Sequence, residues 1–164
     1  MNPLKIPEIA RELLEYDPAT GEIRWVEFRN GNALKGALAG GLDNGRIRIA
    51  FAGKHFLAHR VAYFLHTGEQ PPRFLDHKDG DASNNRFSNL RPASRRQNNQ
   101  NRKLHSNNST GYRGVTLCER GKFRARVGVD GRKKTLGRFD TAEEASAVYE
   151  EYSRKHFGEF YRPL

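Results

Sequence analysis

The chain has 164 residues, of which 36% are hydrophobic, and it carries 29 Lys and Arg against 19 Asp and Glu, a net charge of +10. A chain of this size can bury two small cores, and the excess of cations favours a polyanionic partner, most commonly nucleic acid. Cys118 is the single cysteine, which excludes a disulfide framework and a cysteine-based zinc site.

Hydropathy gives no sign of a membrane protein. No uninterrupted apolar run approaches the roughly 20 residues of a membrane-spanning helix. The first 16 residues, MNPLKIPEIARELLEY, carry acidic side chains where a signal peptide has an apolar core. We therefore expect a soluble cytoplasmic protein without a membrane partner.

The N-terminal part of the chain combines helical and extended patterns. Apolar residues in IPEIARELLEY (residues 6–16) recur at helical spacing and predict a short helix. GRIRIAF (45–51) and HFLAH (55–59) alternate between apolar and polar side chains and predict a hairpin. HRVAYFLHTG (59–68) then predicts a helix that ends at its final glycine.

An asparagine-rich stretch, LDHKDGDASNNRFSNLRPASRRQNN (75–99), contains one Asp-His pair. It predicts a strand, a long turn, a returning strand and a short helix that opens with a capping box of Ser94 and Gln97. We assign Asn84 and Asn85 to the turn, because asparagine tolerates left-handed backbone.

Four polar side chains of this stretch can support phosphodiester hydrolysis. The carboxylate of Asp76 and the amide of Asn98 offer the hard oxygen ligands that magnesium or manganese prefers. His77 is the candidate general base, and Asn89 could accept a hydrogen bond from the imidazole and select its tautomer. The residues alone leave open a second interpretation, an asparagine-rich turn with a solvated carboxylate.

The segment AHRVAYFLHTGEQPPRFLDHKDGDASNNRFSNLRPASRRQNNQN closely resembles the HNH homing endonucleases of bacteriophages and their introns, over about residues 19–101. In that family the His of the Asp-His pair is the base, the preceding Asp and a helix Asn bind one divalent ion, and the intervening Asn orients the His. The matching residues here are His77, Asp76, Asn98 and Asn89. The resemblance implies a ββα-metal nuclease unit with Mg²⁺ or Mn²⁺, acting in a bacterial host cell if a phage encodes it.

Other polar residues lie near the motif in the sequence. His59 matches an upstream His-Arg of these proteins, but a histidine beside an apolar helical face is more often a hydrogen-bonded packing residue, and we expect that role. A zinc site at His55 and His59 would need further ligands that the sequence does not offer, so we expect no zinc. Four arginines are expected to contact phosphates around the site: Arg86, Arg91, Arg95 and Arg96.

A polar segment without apolar periodicity, residues 102–110, predicts a linker. It would separate a nuclease domain at 1–101, with an N-terminal helix and hairpin elaboration, from a second domain at 111–164. In the second domain, three β-rich runs precede a helix that begins with a capping box of Thr141 and Glu144. The predicted fold class is α+β, a ββα unit followed by a three-stranded antiparallel sheet packed on one helix.

The predicted C-terminal sheet is strongly basic, since residues 113–138 hold nine Lys or Arg against two acids. Strand alternation along KFRARVGV puts cations on one face and apolar residues on the other. Such a face can enter the major groove of DNA, although a merely solvated basic face is the alternative. The expected DNA contacts are Arg113, Lys122, Arg124, Arg126 and Lys133.

Residues 109–162 also resemble a known DNA-binding domain. The blocks YRGV, GKFRA, LGRFDTAEEA and FGEF look like the ethylene-response-factor type domain of plant transcription factors, which recurs fused to phage HNH nucleases. The resemblance implies that Arg113, Lys122 and Arg126 lie on strands that bind double-stranded DNA. Several base-contacting positions of the plant domain are changed, to Thr116, Cys118 and Thr135, so its target sequence does not carry over.

Together these patterns predict a divalent-metal-dependent DNA endonuclease that nicks one strand per active site, as a monomer or weak dimer. One alternative is a DNA-binding regulator that keeps the scaffold without cutting. Another is an RNA-binding or RNA-processing protein, because Tyr112 and Phe123 on a basic sheet could stack on bases.

Overall fold

The computed structural model describes residues 4–28, 33–101, 104, 107–129 and 131–161. By its internal contacts the chain divides into two compact units, residues 1–98 and 99–164. Part of the predicted linker, residues 102–103 and 105–106, lies outside the described residues. No described helix has the length and apolar character needed to cross a membrane.

The first elements differ from the predicted helix over 6–16. Helix α1 covers only Ala10–Leu13, and strand β1 follows directly at Leu14–Tyr16. β1 pairs antiparallel with β2 (Ile23–Trp25), so that Leu14 lies opposite Trp25. Both side chains are buried, which shows that pairing and burial of these residues outweigh their local helical periodicity.

A three-stranded antiparallel sheet and a helix come next. Strands β3 (Gly41–Asp43), β4 (Arg46–Phe51) and β5 (Lys54–Leu57) lie in the order β3-β4-β5. Helix α2 (Ala58–Thr67) continues from β5 and ends at Gly68, whose φ of 81° is left-handed. The predicted β4–β5 hairpin and the helix after it are therefore confirmed.

The asparagine-rich stretch forms a second strand–strand–helix sequence. Strand β6 (Leu75–His77) pairs antiparallel with β7 (Leu90–Pro92), and a turn of 3-10 helix at Phe87–Asn89 leads into β7. Helix α3 (Arg95–Gln100) follows. Its predicted capping box is present, because Gln97 N donates to Ser94 Oγ at 3.2 Å and Ser94 N donates to Gln97 Oε1 at 2.7 Å.

The core of this N-terminal unit brings the hairpins and α2 together. Leu75 of β6 and Leu90 of β7 belong to the same buried cluster as the residues of the other elements. The elements that carry the Asp-His pair are thus anchored by the hydrophobic core. The remaining members of the cluster are Ile6, Ala10, Leu14, Ile23, Trp25, Ala39, Ile49, Phe51, Phe56, Ala58, Val61, Ala62 and Phe64.

The C-terminal unit is a meander of three strands covered by one helix. Strands β8 (Val115–Leu117), β9 (Phe123–Val129) and β10 (Arg132–Phe139) pair antiparallel in the order β10-β9-β8. Helix α4 (Ala142–Phe157) begins with the predicted capping box, and the core comprises Val115, Ala125, Val127, Ala142, Ala145 and Tyr149. The predicted fold class, a mixed α and β chain with a ββα region and this sheet, is confirmed.

Candidate functional site

The β6–β7 hairpin buries the Asp-His pair. Asp76 and His77 are each 5% exposed, and the hairpin register pairs Asp76 with Arg91 and His77 with Leu90. Ionisable groups removed from water in this way are costly unless other polar groups contact them. The contacts of these two side chains therefore define the site.

Asp76 forms a buried ion pair with Arg91. Both Nε and Nη2 of Arg91 contact Asp76 Oδ2, at 3.1 and 2.9 Å, and the two side chains are 6–7% exposed. The guanidinium offsets the desolvation cost of burying a carboxylate. The structure gives Arg91 a buried carboxylate partner across the hairpin, and its expected contact to phosphate stays a prediction.

His77 is a buried imidazole that contacts an amide. Its Nε2 lies 3.3 Å from Asn85 Oδ1. An amide oxygen accepts hydrogen bonds, so the contact belongs to the tautomer with the proton on Nε2 and the lone pair on Nδ1. Burial lowers the pKa of His77 below its usual 6.5, and Arg46 lowers it further, against the opposing influence of Asn85 and two carboxylates. The ring is therefore neutral at neutral pH.

Asn89 does not make the hydrogen bond that the sequence predicted. Its Nδ2 donates to Asp79 Oδ1 at 2.9 Å and to the Asn84 carbonyl at 2.8 Å, and its Oδ1 accepts from Asp79 N at 3.1 Å. The cause is the register, in which Leu90 lies opposite His77 and neighbouring strand residues point to opposite faces. These hydrogen bonds of Asn89 instead stabilise the loop between β6 and β7.

The contact to His77 comes from Asn85, which sequence reasoning assigned only to the turn. Asn85 is 2% exposed, and its carbonyl accepts a hydrogen bond from the Tyr16 hydroxyl at 2.7 Å. Its backbone is not left-handed as expected, because the only described non-glycine residues with positive φ are Asn44, Ala52 and Arg120. The sequence does not distinguish Asn85 from its neighbour Asn84, because it is the burial of Asn85 in the folded chain that brings it to His77.

Packing from the N-terminal strands holds this loop in place. Gly21 approaches the backbone of residues 85 and 86 so closely that a Cβ would lie 2.5 Å from Arg86 N. Its φ of +81° is also one that other residues rarely adopt. Gly21 and Tyr16 thus fix the loop that carries Asn85.

Asn98 and the exposed arginines lie on or near helix α3. The half-buried Asn98 side chain makes no hydrogen bond to any described residue, including Asp76. Arg95 and Arg96 are exposed at the start of α3, and Arg86 is exposed with its Nε donating to the Ala19 carbonyl at 3.0 Å. Across the described residues, no group of three or more His, Cys, Asp or Glu side chains is arranged to hold a metal ion.

His59 lies directly beside the candidate base. Its ring packs edge to face on the ring of His77, with centroids 5.0 Å apart, and the residue is 5% exposed. Burial, followed by the charges of His77, Arg46 and Arg60, lowers the pKa of His59 to about 3. His59 is packed as expected, but the expected hydrogen bond is absent within the described part of the chain.

Strand β9 of the C-terminal unit alternates as predicted. Ala125 and Val127 are buried toward α4, while Arg124 and Arg126 are only half-buried on the other face. Arg124 lies opposite Thr116 of β8 and Arg138 of β10. Like charges in directly opposed positions repel each other, so this face favours an anion.

The other expected DNA contacts are distributed around this sheet. Lys133 is exposed on β10, but Arg113 and Lys122 precede β8 and β9 and do not lie on the strands. Arg113 Nη1 donates to the Gln100 carbonyl at 3.0 Å, and Lys122 forms an ion pair with Asp140. Of the five expected cations, Arg124, Arg126 and Lys133 therefore lie in strands.

Comparisons with known proteins agree with the geometry of the hairpin. A profile of the family described as HNH endonuclease matches residues 56–100. The chain is also 32% identical over 152 residues to an uncharacterized HNH endonuclease of Acanthamoeba polyphaga mimivirus, a match that covers 92% of this chain and 71% of that protein. No solved structure matches the chain significantly. The profile match contains the buried Asp-His pair together with Asn85, Asn89 and Asn98.

Proposed function

This chain belongs to the HNH endonuclease family and is a nuclease, and we propose that it hydrolyses phosphodiester bonds of double-stranded DNA with a divalent metal ion, nicking one strand per active site. The observation that carries the proposal is the buried neutral imidazole of His77 beside the ionised Asp76–Arg91 pair. A base that can take a proton from water, beside a carboxylate that can bind a metal ion, is a combination that supports phosphodiester hydrolysis.

His77 is the general base in this proposal. Its lowered pKa keeps it unprotonated at neutral pH, and the contact to Asn85 directs the Nδ1 lone pair to the attacking water. The water oxygen forms a bond to phosphorus, its proton passes to His77, and the bond from phosphorus to the 3′ oxygen breaks. A second water molecule supplies the proton that the leaving 3′ oxygen takes up.

Asp76 and Asn98 are the proposed metal ligands. A carboxylate and an amide oxygen suit Mg²⁺ or Mn²⁺, and the Asn98 amide is not engaged by any described residue. Arg91 contacts Asp76 Oδ2 and fixes the position of the carboxylate in the hairpin. When bound, such an ion neutralises charge that develops on the phosphate oxygens.

The basic sheet is proposed to bind DNA and to place the nuclease on it. Arg124 and Arg126 each have a buried Nε without a hydrogen-bond partner in the described structure. A buried donor without an acceptor destabilises the folded protein, and a ligand that accepts its hydrogen bond removes that cost. Phosphate and guanine both offer suitable acceptor atoms. This supports the resemblance to the ethylene-response-factor type domain.

A cleavage assay tests the proposal. Purified full-length protein should convert supercoiled plasmid to the nicked form with Mg²⁺ or Mn²⁺ and not with EDTA. His77→Ala should lose at least about a hundredfold in rate while still binding DNA, which is the low end for removal of a general base. Faster cutting of structured RNA than of duplex DNA would favour an RNA-processing enzyme, and undiminished cutting by His77→Ala would remove the site assignment.

A further inference from the structure

The β4–β5 hairpin carries a cation toward the nuclease site. Arg46 begins β4 and has an exposed side chain. The hairpin register ends at the pair of Arg48 with Leu57, directly before α2, and Arg46 lies two residues beyond it on the side where His59 follows in the first turn of α2. Since the rings of His59 and His77 are 5.0 Å apart, Arg46 lies at the same edge of the site as the candidate base.

The electrostatics of the two imidazoles agree with this placement. After burial, which is the largest cause for both, the positive charge of Arg46 contributes to lowering the pKa of His59 and of His77. A charge acts on both rings in this way only when it lies close to both.

Arg46 is also not committed to another partner. It makes no hydrogen bond or ion pair with any described residue, whereas Arg48, two positions along the same strand, pairs with Asp43 at 3.0 Å. The adjacent His59 is buried without a hydrogen bond to the described chain. This side of the site thus presents one uncompensated guanidinium and one neutral imidazole to a ligand.

We propose that Arg46 is a catalytic residue, whose guanidinium binds the non-bridging oxygens of the scissile phosphate. The inference rests on the proposed function. Negative charge increases on those oxygens as water attacks, and the planar fork of arginine matches two of them at once. Two other exposed arginines of this unit have partners, because Arg86 donates to a carbonyl and Arg48 to a carboxylate.

Full-length variants compared on one substrate test this role. Wild type, Arg46→Gln, Arg46→Lys, Arg48→Gln and His77→Ala are each mixed in excess with supercoiled plasmid and Mg²⁺, and single-turnover rates are compared with plasmid affinities. Arg46→Gln should lose about a hundredfold in rate, as expected for removal of one preorganised donor to developing charge. Its affinity should change by less than about threefold, since many phosphate contacts share the binding. Arg48→Gln, which removes the same charge from the same strand face, should keep the wild-type rate.

The outcomes separate this inference from the proposed function. If Arg46→Gln cuts at the wild-type rate while His77→Ala is inactive, the role of Arg46 is overturned and the proposed function stands. Equal losses in Arg46→Gln and Arg48→Gln would assign the effect to net charge and would also overturn it. A wild type that cuts no DNA with either metal would overturn both. Arg46→Lys keeps the charge but lacks the planar fork, so its single-turnover rate should lie between those of wild type and Arg46→Gln. It is the variant to compare with wild type if Arg46→Gln does not fold.

Discussion

Asn85 Oδ1 and His77 Nε2 are 3.3 Å apart in the interior of the nuclease unit, although His77 ends strand β6 and Asn85 lies eight residues later in the loop before β7. The contact selects the tautomer of the imidazole. Asn89, which has the sequence position expected for this role, instead binds Asp79 and Asn84. The two asparagines therefore have separable effects.

Replacing Asn85 by Ala should lower the rate of DNA cleavage at saturating DNA by about 10- to 100-fold, the usual range for a residue that orients a reacting group. The affinity for DNA should stay the same, because Asn85 is buried away from solvent. Single-turnover rates and a binding titration measure the two quantities.

Asn84→Ala is the matched control for that variant. Asn84 Nδ2 donates to Asp79 Oδ2 at 2.7 Å and does not contact the imidazole, so its loss should reduce the stability of the loop and leave the rate intact. If both alanine variants slow cleavage equally, the Asn85 contact has no special role.

Arg91→Ala should destabilise the protein by about 3–5 kcal/mol, because it leaves the Asp76 carboxylate buried without its guanidinium. Urea unfolding of the full chain measures this difference. Arg95→Ala, at an exposed position of α3, should change stability by less than about 0.5 kcal/mol. Similar stabilities for the two variants would mean that the Asp76–Arg91 pair is dispensable to the fold.

The buried His59 makes stability depend on pH. Its pKa is about 3 in the folded state, against the ordinary histidine value of 6.5 in the unfolded chain, so between these values the unfolded state binds the extra proton. Stability is therefore highest above pH 6.5 and falls by about 1.4 kcal/mol per pH unit as pH decreases from 6.5 toward 3.

His59→Gln removes that titration. As the pH is lowered from about 6.5 to 4, the free energy of unfolding of the variant should therefore fall less than that of wild type. Urea unfolding at several pH values gives the two curves. Parallel curves would show that folding does not lower the pKa of His59.

The basic face of the C-terminal sheet should contribute to the salt dependence of DNA affinity. Arg124→Gln with Arg126→Gln should flatten the plot of log affinity against log salt by about 1.8, which is about 0.9 for each phosphate that the protein no longer neutralises. The single-turnover rate at saturating DNA should be unchanged. Arg154→Gln with Lys155→Gln removes the same charge from exposed positions of α4 and should leave the slope nearly as it is in wild type.

Local patterns in the sequence predicted local structure well. The capping boxes at Ser94–Gln97 and Thr141–Glu144 are present because each depends on residues three positions apart. In contrast, Leu14–Tyr16 forms a strand because it pairs with Ile23–Trp25 further along the chain, which helical periodicity does not register. Local pattern is thus sufficient where the stabilising partners are neighbours in the chain.

Prediction of the site likewise succeeded for local features and failed for long-range contacts. The Asp-His pair was found because it is contiguous, and the resemblance supplied roles for residues at matching positions. The burial of Arg91 and the choice of Asn85 over Asn89 depend on which face of a hairpin each side chain occupies, and on Tyr16 and Gly21 from a distant segment. Arg46 is likewise brought to the site only by the hairpin register.

The hydrogen bond from Tyr16 to Asn85 connects positions 69 residues apart. Contacts of such long range form late, because the intervening chain must first lose the entropy of an open loop. The position of Asn85 beside His77 therefore depends on the docking of the first strands and not on the β6–β7 hairpin alone. A destabilising change in β1 should thus weaken the site without touching any of its reacting groups.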